Sequence, residues 1–263
     1  MRAPSAPIDE GALRALAWAR IAVGTLYLFR STPLIGLFDP TIGADARPLL
    51  GWPDGSENLG LGVSAGLLVA LCLARTAAFL AFTIGFFPRA SGLVAAGAGY
   101  LVLLERPFAF TATQHLFLQA TMLLALADVG ALASVRREPP RSPRTGLWMM
   151  RAFVVSVYAW AALAKARADW LDGRTLALFH EEGRLRGSLA DLLLASPARC
   201  AAMGKVVFVV EASLCLLLCL PRTRLVGVVA AAAFHIGIEW MGHPDVIGWV
   251  MLSLLLVFVP LSR

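Results

Sequence analysis

Eight long apolar runs, separated by short polar links, form the dominant pattern of this chain. Each run carries few charges, and several approach or exceed the roughly 20 residues that an α-helix needs to cross a bilayer. The pattern predicts an all-α, polytopic transmembrane helix bundle of about eight spans. The predicted spans are residues 11–31, 68–87, 90–105, 115–135, 146–166, 205–221, 223–241 and 246–261.

The second span contains a charge. Its apolar stretch extends from residue 60 to residue 87 and includes Arg75. We expect residues 60–72 to lie partly in the interface, and the Arg75 side chain to extend toward the near membrane surface.

The composition agrees with a membrane protein. Of the 263 residues, 59% are hydrophobic and 15% are charged, whereas about a quarter of a soluble domain is charged. The N-terminal stretch MRAPSAPIDE has no apolar core and no small-residue cleavage site, so we expect no removable signal peptide. The net charge of +6 does not indicate nucleic-acid binding, because the basic residues cluster in short links between apolar runs. The four cysteines match no metal-ligand spacing, and we expect no metal.

Loop charges predict the orientation of the bundle. Segment 32–59 is mainly acidic, whereas loop 136–145, RREPPRSPRT, is mainly basic. Because basic loops face the cytoplasm, both termini are predicted to be cytoplasmic, in a plasma (inner) membrane. Loop 167–204 is then external. Its part RTLALFHEEGRLRGSLADLLLA, residues 174–195, has the periodicity of a helix that lies along the interface.

This orientation places four ionisable side chains in the outer half of the membrane. His115 begins the fourth span and Lys165 ends the fifth. Glu211 lies about 9 Å into the sixth span, and His235 lies near the outer end of the seventh. Ionisable groups inside a membrane are costly and usually face the bundle interior or a cavity. We therefore predict a polar pocket that opens outward.

Lys165 differs in chemistry from most basic residues of the chain. Of the 23 lysines and arginines, only Lys165 and Lys205 are lysine. Arginine stays protonated, whereas a desolvated lysine can lose its proton and act as a base. The alternative is that Lys165 is an anchor whose ammonium reaches the interface. Trp170 and Trp240 likewise fit an aromatic belt at the interface.

Simpler roles are also open for the other candidates. His115 and His235 can each be a packed, hydrogen-bonded histidine. Glu211 can be a neutral carboxyl group that forms a structural hydrogen bond. Arg20, inside the first span, can bind a backbone carbonyl or a lipid headgroup.

The stretch WAALAKARADWLDG, residues 160–173, resembles the membrane domain of the vitamin K-dependent gamma-glutamyl carboxylases and of the related HTTM proteins. In this stretch an aromatic-rich helix ends in Lys165, Asp169 and Trp170 follow, and a glycine turn comes next. Other stretches resemble the family in the same order. They are ARIAVGTLYLFRSTPL, TIGFFPRASGL, TATQHLFLQATMLLALAD and the block that begins with VEASLCLLLCL and includes FHIGIEWMGHPD.

The resemblance implies a role for each matched residue. Lys165 would be the base that deprotonates the hydroquinone form of vitamin K. Oxygen then adds, and the oxygenated quinone removes a proton from the gamma carbon of a peptide glutamate. Carbon dioxide traps the carbanion, and the quinol leaves as an epoxide. His115 and His235 would contact the quinol or the reacting glutamate.

The resemblance also implies co-substrates and partners. We expect reduced vitamin K or menaquinol with O2 and CO2, the lipid bilayer, and a peptide or small glutamate-like substrate, but no nucleic acid. The family's active site opens to the non-cytoplasmic side, which agrees with the orientation that the loop charges predict. The expected catalytic residues are Lys165, His115 and His235, and the expected pocket residues are Glu211, Trp170, Asp169, Trp240 and Arg20.

The chain departs from the animal carboxylases, which continue into a large soluble domain after their spans. This sequence ends at Arg263, directly after its last predicted span. We expect a single HTTM-like transmembrane domain over residues 1–263, with no soluble C-terminal domain. A quinol-dependent carboxylase-like enzyme is the first hypothesis. The alternatives are a quinone- or lipid-binding redox protein without carboxylase activity, and a small transporter or assembly partner.

Overall fold

The computed structural model of the protein describes residues 9–31, 65–105, 112–127, 129–139, 142–242 and 247–260. Within these ranges the chain is helical and has no β-strand. A π-helical turn, Tyr27–Ser31, extends the first helix, and a 3₁₀ turn, Leu255–Phe258, extends the last. The α-helices are α1 (Glu10–Leu26), α2 (Ala65–Ile84), α3 (Pro88–Glu105), α4 (Ala112–Leu126), α5 (Pro143–Lys165), α6 (Ala168–Leu171), α7 (Arg174–Glu181), α8 (Ser188–Leu193), α9 (Pro197–Cys219), α10 (Arg224–Trp240) and α11 (Ile247–Leu254).

The longer helices follow the apolar runs, because an α-helix lies along each of the eight predicted segments. Among the described residues, three helical segments are long and apolar enough to cross a membrane, judged by length and composition: Glu10–Phe29, Pro143–Lys165 and Pro197–Cys219. Val69–Ile84 and Ile247–Phe258 are shorter apolar helices. The described part of the chain is therefore that of an all-helical membrane protein.

Two compact units make up the fold: residues 1–150 with 260–263, and residues 151–259. In the first unit, α1 packs against α2 and α4, and α3 packs against the same two helices. The core of this unit is aromatic and aliphatic, and its fully buried side chains include Leu16, Phe79, Phe82, Phe117 and Leu124.

The fourth helix is shorter than the sequence predicted. The span was expected to reach residue 135, but α4 ends at Leu126. The following residues form a loop that pairs with the end of α2, where the Val135 and Arg136 N–H groups donate to the carbonyls of Ile84 and Gly85, both at 3.1 Å. These hydrogen bonds outside the helix explain why the apolar run does not continue as helix.

Arg20 holds the same loop. Its side chain is fully buried and donates to Ser134 Oγ at 2.6 Å and to the Ala133 carbonyl. A backbone carbonyl was one of the partners that the sequence left open for this arginine. Arg20 therefore links the middle of α1 to the loop after α4, within the first unit.

The expectation for Arg75 was wrong. Its side chain does not extend to a surface: the residue is 7% exposed. It lies on the buried face of α2 with Cys72, Phe79 and Phe82. A run that is apolar all round does not reveal which of its faces points inward, so the sequence alone could not place the guanidinium.

In the second unit, α9 packs against α10 and against the short helices α6 and α7, and α10 packs against α11. A small hydrophobic cluster joins the short helices to the start of α9. Its buried members are Leu176, Leu185, Ala190, Leu194 and Cys200.

The loop before α9 also differs from the prediction. The single interfacial helix expected over residues 174–195 is divided into α7 and α8, because Gly183 and Gly187 lie between them with positive φ angles of 68° and 92°. The next helix begins at Pro197, earlier than the predicted residue 205. Ser196 caps it, with Oγ accepting from the N–H two residues after the proline.

Candidate functional site

Lys165 is the last residue of α5 and continues the inward face of that helix. Val154, Tyr158 and Ala162 are buried at intervals of four residues, and Lys165 follows Ala162 by three. Residues at these spacings share one helix face. The Lys165 side chain is 20% exposed. Its position at the C-terminus of the helix also complements the helix dipole.

Glu211 is the partner of Lys165. It lies on the buried face of α9 with Gly204, Leu214 and Leu218. The Lys165 ammonium donates to Glu211 Oε1 at 2.9 Å and lies 2.8 Å from Oε2. Only 8% of the Glu211 side chain is exposed. Because an unpaired charge is costly at membrane depth, each residue allows the burial of the other.

Trp170 provides an aromatic neighbour for the same ammonium. Lys165 Nζ lies 5.0 Å from the centroid of the indole ring, within the range of a cation–π interaction. The indole N–H donates to the Gly204 carbonyl at 3.2 Å, which holds the ring against α9. Lys165 therefore has a carboxylate and an aromatic ring as neighbours, and both groups are fixed to the same helix.

Two glycines allow the segment after Lys165 to lie directly on α9. A Cβ at Gly204 would overlap the carbonyl oxygen of Trp170. Gly173 has a φ of 83°, in the left-handed region that favours glycine, and a Cβ there would overlap the backbone of α9. The glycine turn of the sequence motif is thus a point of close backbone packing. It sets the approach of α6 to the helix that carries Glu211.

Gly204→Ala is expected to destabilise the protein by about 1–3 kcal/mol, because the new methyl group must displace the backbone of α6. Gly237→Ala in α10 is the matched control, since no atom of the described residues outside its own stretch of helix lies within 4 Å of its Cβ position. Thermal unfolding of the detergent-solubilised variants measures the difference. Equal unfolding temperatures for the two variants would contradict a requirement for glycine at residue 204.

Tyr158, on the inward face of α5, and His235, on α10, form a second buried pair. They are 2% and 5% exposed, and the Tyr158 hydroxyl lies 2.8 Å from His235 Nε2. When the tyrosine donates to Nε2, a neutral imidazole carries its proton on Nδ1. Nδ1 is buried and has no hydrogen-bond partner among the described residues. His235 therefore has an unused polar atom inside the second unit.

The other two candidates of the second unit are more exposed. The Asp169 carboxylate lies 3.5 Å from Arg167 Nε, and its side chain is 49% exposed. Trp240, at the end of α10, is 77% exposed, as expected of an aromatic belt residue. In the described part of the chain, neither forms a hydrogen bond or ion pair with Lys165 or Glu211.

His115 and Arg20 belong to the first unit. His115 Nδ1 lies 3.3 Å from the Tyr100 hydroxyl, and the two rings meet edge to face. Arg20 is bonded to the loop after α4. That these two residues share a pocket with Lys165 stays a prediction.

Sequence reasoning did not identify Tyr158, Tyr100 or Gly204, although each contacts a candidate residue. Tyr158 could have been found from its spacing, because it precedes Lys165 by seven residues and so lies on the same helix face. The other two contacts are made between helices, and no local pattern marks them. Among the described residues, no group of three His, Cys, Asp or Glu side chains is placed to hold a metal ion.

One of three comparisons with known proteins identifies a family. The model of the HTTM domain matches residues 63–262. A search of the curated proteins found no match, and a search of the solved structures found none either. The matched range includes Lys165, Trp170, Glu211 and His235.

Proposed function

This chain belongs to the HTTM domain family, and on that premise we propose that it is an integral membrane, quinol-dependent carboxylase-like enzyme. HTTM is the membrane domain of the vitamin K-dependent carboxylase-like family. The proposed reaction couples the epoxidation of a quinol by O2 to the carboxylation of a glutamate-type substrate. The observation that supports it best is the buried Lys165–Glu211 pair in the second unit.

Lys165 and Glu211 together can store and release a proton at membrane depth. In the hydrogen-bonded pair, Lys165 Nζ donates to Glu211 Oε1. When the pair is in its neutral form, with an amine on Lys165 and a carboxylic acid on Glu211, the amine can accept one further proton. When that proton comes from a quinol hydroxyl, its O–H bond breaks and an N–H bond forms at Lys165 Nζ, while Glu211 keeps the proton already present. The ammonium then lies beside the oxygen that lost its proton and stabilises the negative charge.

The residues present also fit a quinol, which has an aromatic ring and an oxygen at each end. Lys165 and the unused Nδ1 of His235 would hold the oxygens, and the Trp170 ring would contact the aromatic face. Lys165 and Tyr158, the partner of His235, are two turns apart on α5, or about 10.5 Å along the axis. When bound, the quinol supplies the electrons for O2 and the strong base that acts on the glutamate carbon. The chain binds it, orients it and takes its proton.

Quinol epoxidation is the direct test. Purified protein is incubated with reduced menaquinone or reduced vitamin K, under air and under argon, together with a glutamate-containing peptide and labelled bicarbonate. We expect the epoxide to form under air but not under argon, and the label to be incorporated into the peptide. The epoxide without incorporated label would favour the redox protein without carboxylase activity. The absence of epoxide with both quinols would contradict the proposal.

We also propose that the eight helical segments are spans with both termini in the cytoplasm, so that the site opens to the outside. The labelling of single cysteines tests this arrangement, with Cys219→Ser removing the exposed native thiol. A cysteine at Ser188 should react with an impermeant reagent added outside intact cells, whereas one at Ser142 should react only after permeabilisation. Both positions are exposed in the structure. The reverse result would overturn the orientation and the outward opening of the site.

A further inference from the structure

We infer that the first unit has a second ligand site, in which Arg75 binds an oxyanion, either a carboxylate or a phosphate. Arg75 lies near the middle of α2, in an apolar segment. The residue is 93% buried, since its exposed fraction is 7%. Arg75 belongs to the first unit and the Lys165–Glu211 pair to the second, and the inference does not depend on the proposed function.

The charge of Arg75 is not balanced by the described residues. No described side chain or carbonyl accepts a hydrogen bond from it, and its buried Nε has no partner. Its observed polar contact is with the face of Tyr27, whose ring centroid lies 5.8 Å from the guanidinium carbon. A cation–π contact contributes about 0.5–2 kcal/mol. This is less than the several kcal/mol that burying a charge costs.

Arg20 shows how this chain satisfies a buried guanidinium when the role is structural. Arg20 is also buried, and its Nε has no partner either, but its two terminal nitrogens donate to a hydroxyl and to a backbone carbonyl of the loop after α4. Arg75 lies in the same unit and has no corresponding loop contact among the described residues. The difference suggests that the partner of Arg75 is not part of the described chain.

The surroundings of Arg75 are aromatic. The Tyr27 ring stacks on Phe79 at 3.5 Å and meets Phe117 edge to face at 5.6 Å. The π-helical turn of α1 begins at Tyr27 itself. Such turns are rare and are frequent at functional sites. Arg75 therefore lies buried beside packed aromatic rings and not on the surface of the unit.

The guanidinium group determines the class of ligand. Its planar fork of N–H groups matches the two oxygens of a carboxylate or phosphate, and it stays charged whatever the pH. Desolvation by the surrounding helices strengthens this attraction. The oxyanion can come from a lipid headgroup or from a soluble acid, and the two sources can be separated experimentally.

Thermal unfolding of detergent-solubilised protein tests the site. The probes are sodium phosphate, sodium glutarate and phosphatidylglycerol, with phosphatidylcholine as the lipid without net charge. At saturation we expect at least one anionic probe to raise the unfolding temperature by about 5 °C or more. A response to phosphatidylglycerol alone identifies a lipid, and a response to glutarate or phosphate identifies a soluble acid. No response to any of the three anions overturns the inference.

Arg75→Met separates a ligand site from a structural role. It keeps most of the side-chain volume and removes an unpaired charge, so the unliganded variant should unfold at the same temperature as the parent or higher, and the anion response should disappear. Arg222→Met, at an exposed arginine of the second unit, should keep the response. A persistent response in Arg75→Met would contradict the site. A variant that unfolds earlier, or does not fold, would show that the chain itself holds the guanidinium and would also contradict it.

Discussion

Lys165→Arg is expected to lower oxygen-dependent quinol turnover by about 10²–10⁴-fold, while the protein stays folded and still binds quinone. Arginine preserves the positive charge beside Glu211 and most of the aliphatic stem. It cannot release its proton, so it cannot serve as the base. Turnover is measured as epoxide formed under air, and folding as the thermal unfolding temperature in detergent.

Lys205→Arg is the matched control, because Lys205 is the other lysine of the chain and lies exposed on α9. It should turn over quinol at the parent rate. Raising the pH should not restore the Lys165→Arg variant, since a guanidinium stays charged. An arginine variant with normal turnover would instead assign Lys165 the structural role of an ion-paired helix end.

Gly173→Ala is expected to cost about 2–5 kcal/mol of stability, a large share of the 5–15 kcal/mol of a typical domain. About 1–2 kcal/mol comes from placing a Cβ in the left-handed region, and about 1–3 kcal/mol from overlap with the backbone of α9. Displacement of this turn would also move Trp170 away from Lys165. Thermal unfolding and intrinsic tryptophan fluorescence measure the two consequences.

Gly183→Ala isolates the conformational part of that cost. Gly183 also has a positive φ, 68°, but apart from its chain neighbours no atom of the described residues lies within 4 Å of its Cβ position. Its alanine variant should therefore lose about 1–2 kcal/mol, from the backbone alone. If both variants lost the same stability, the overlap of the new Cβ at residue 173 with the backbone of α9 would not contribute to the loss.

The helices could be predicted because their signal is local. An apolar run of about 20 residues bounded by polar links is visible in the sequence itself, and a helix lies along each of the predicted runs. The predicted helix bounds were wrong where contacts outside the helix, or glycines within the run, compete with the helical hydrogen bonds. The loop after α4 pairs with the end of α2, and the glycines between α7 and α8 interrupt a helical pattern.

Some residues of the candidate site could be recognised from the sequence, but the contacts between them could not. Lys165, Glu211 and His235 were recognisable as ionisable groups in apolar segments, and Trp170 as part of a motif. Which groups touch depends on how each helix is rotated about its axis. In α2, for example, Leu73 and Leu80 are exposed whereas Phe79 is buried, and all three are equally apolar.

The sequence by itself determined that the chain is helical and membrane-embedded, and it pointed to Lys165 through the resemblance of its motif. Only the tertiary structure decided that Glu211 pairs with Lys165, that Tyr158 binds His235, and that Arg75 faces inward. The physical reason is that a membrane helix has no aqueous side to contrast with its buried side. Lipid and protein interior are both apolar, so hydropathy marks a helix as buried in the membrane without distinguishing its two sides. The packing of side chains between helices makes that distinction, through glycines such as Gly204 that let one backbone reach another.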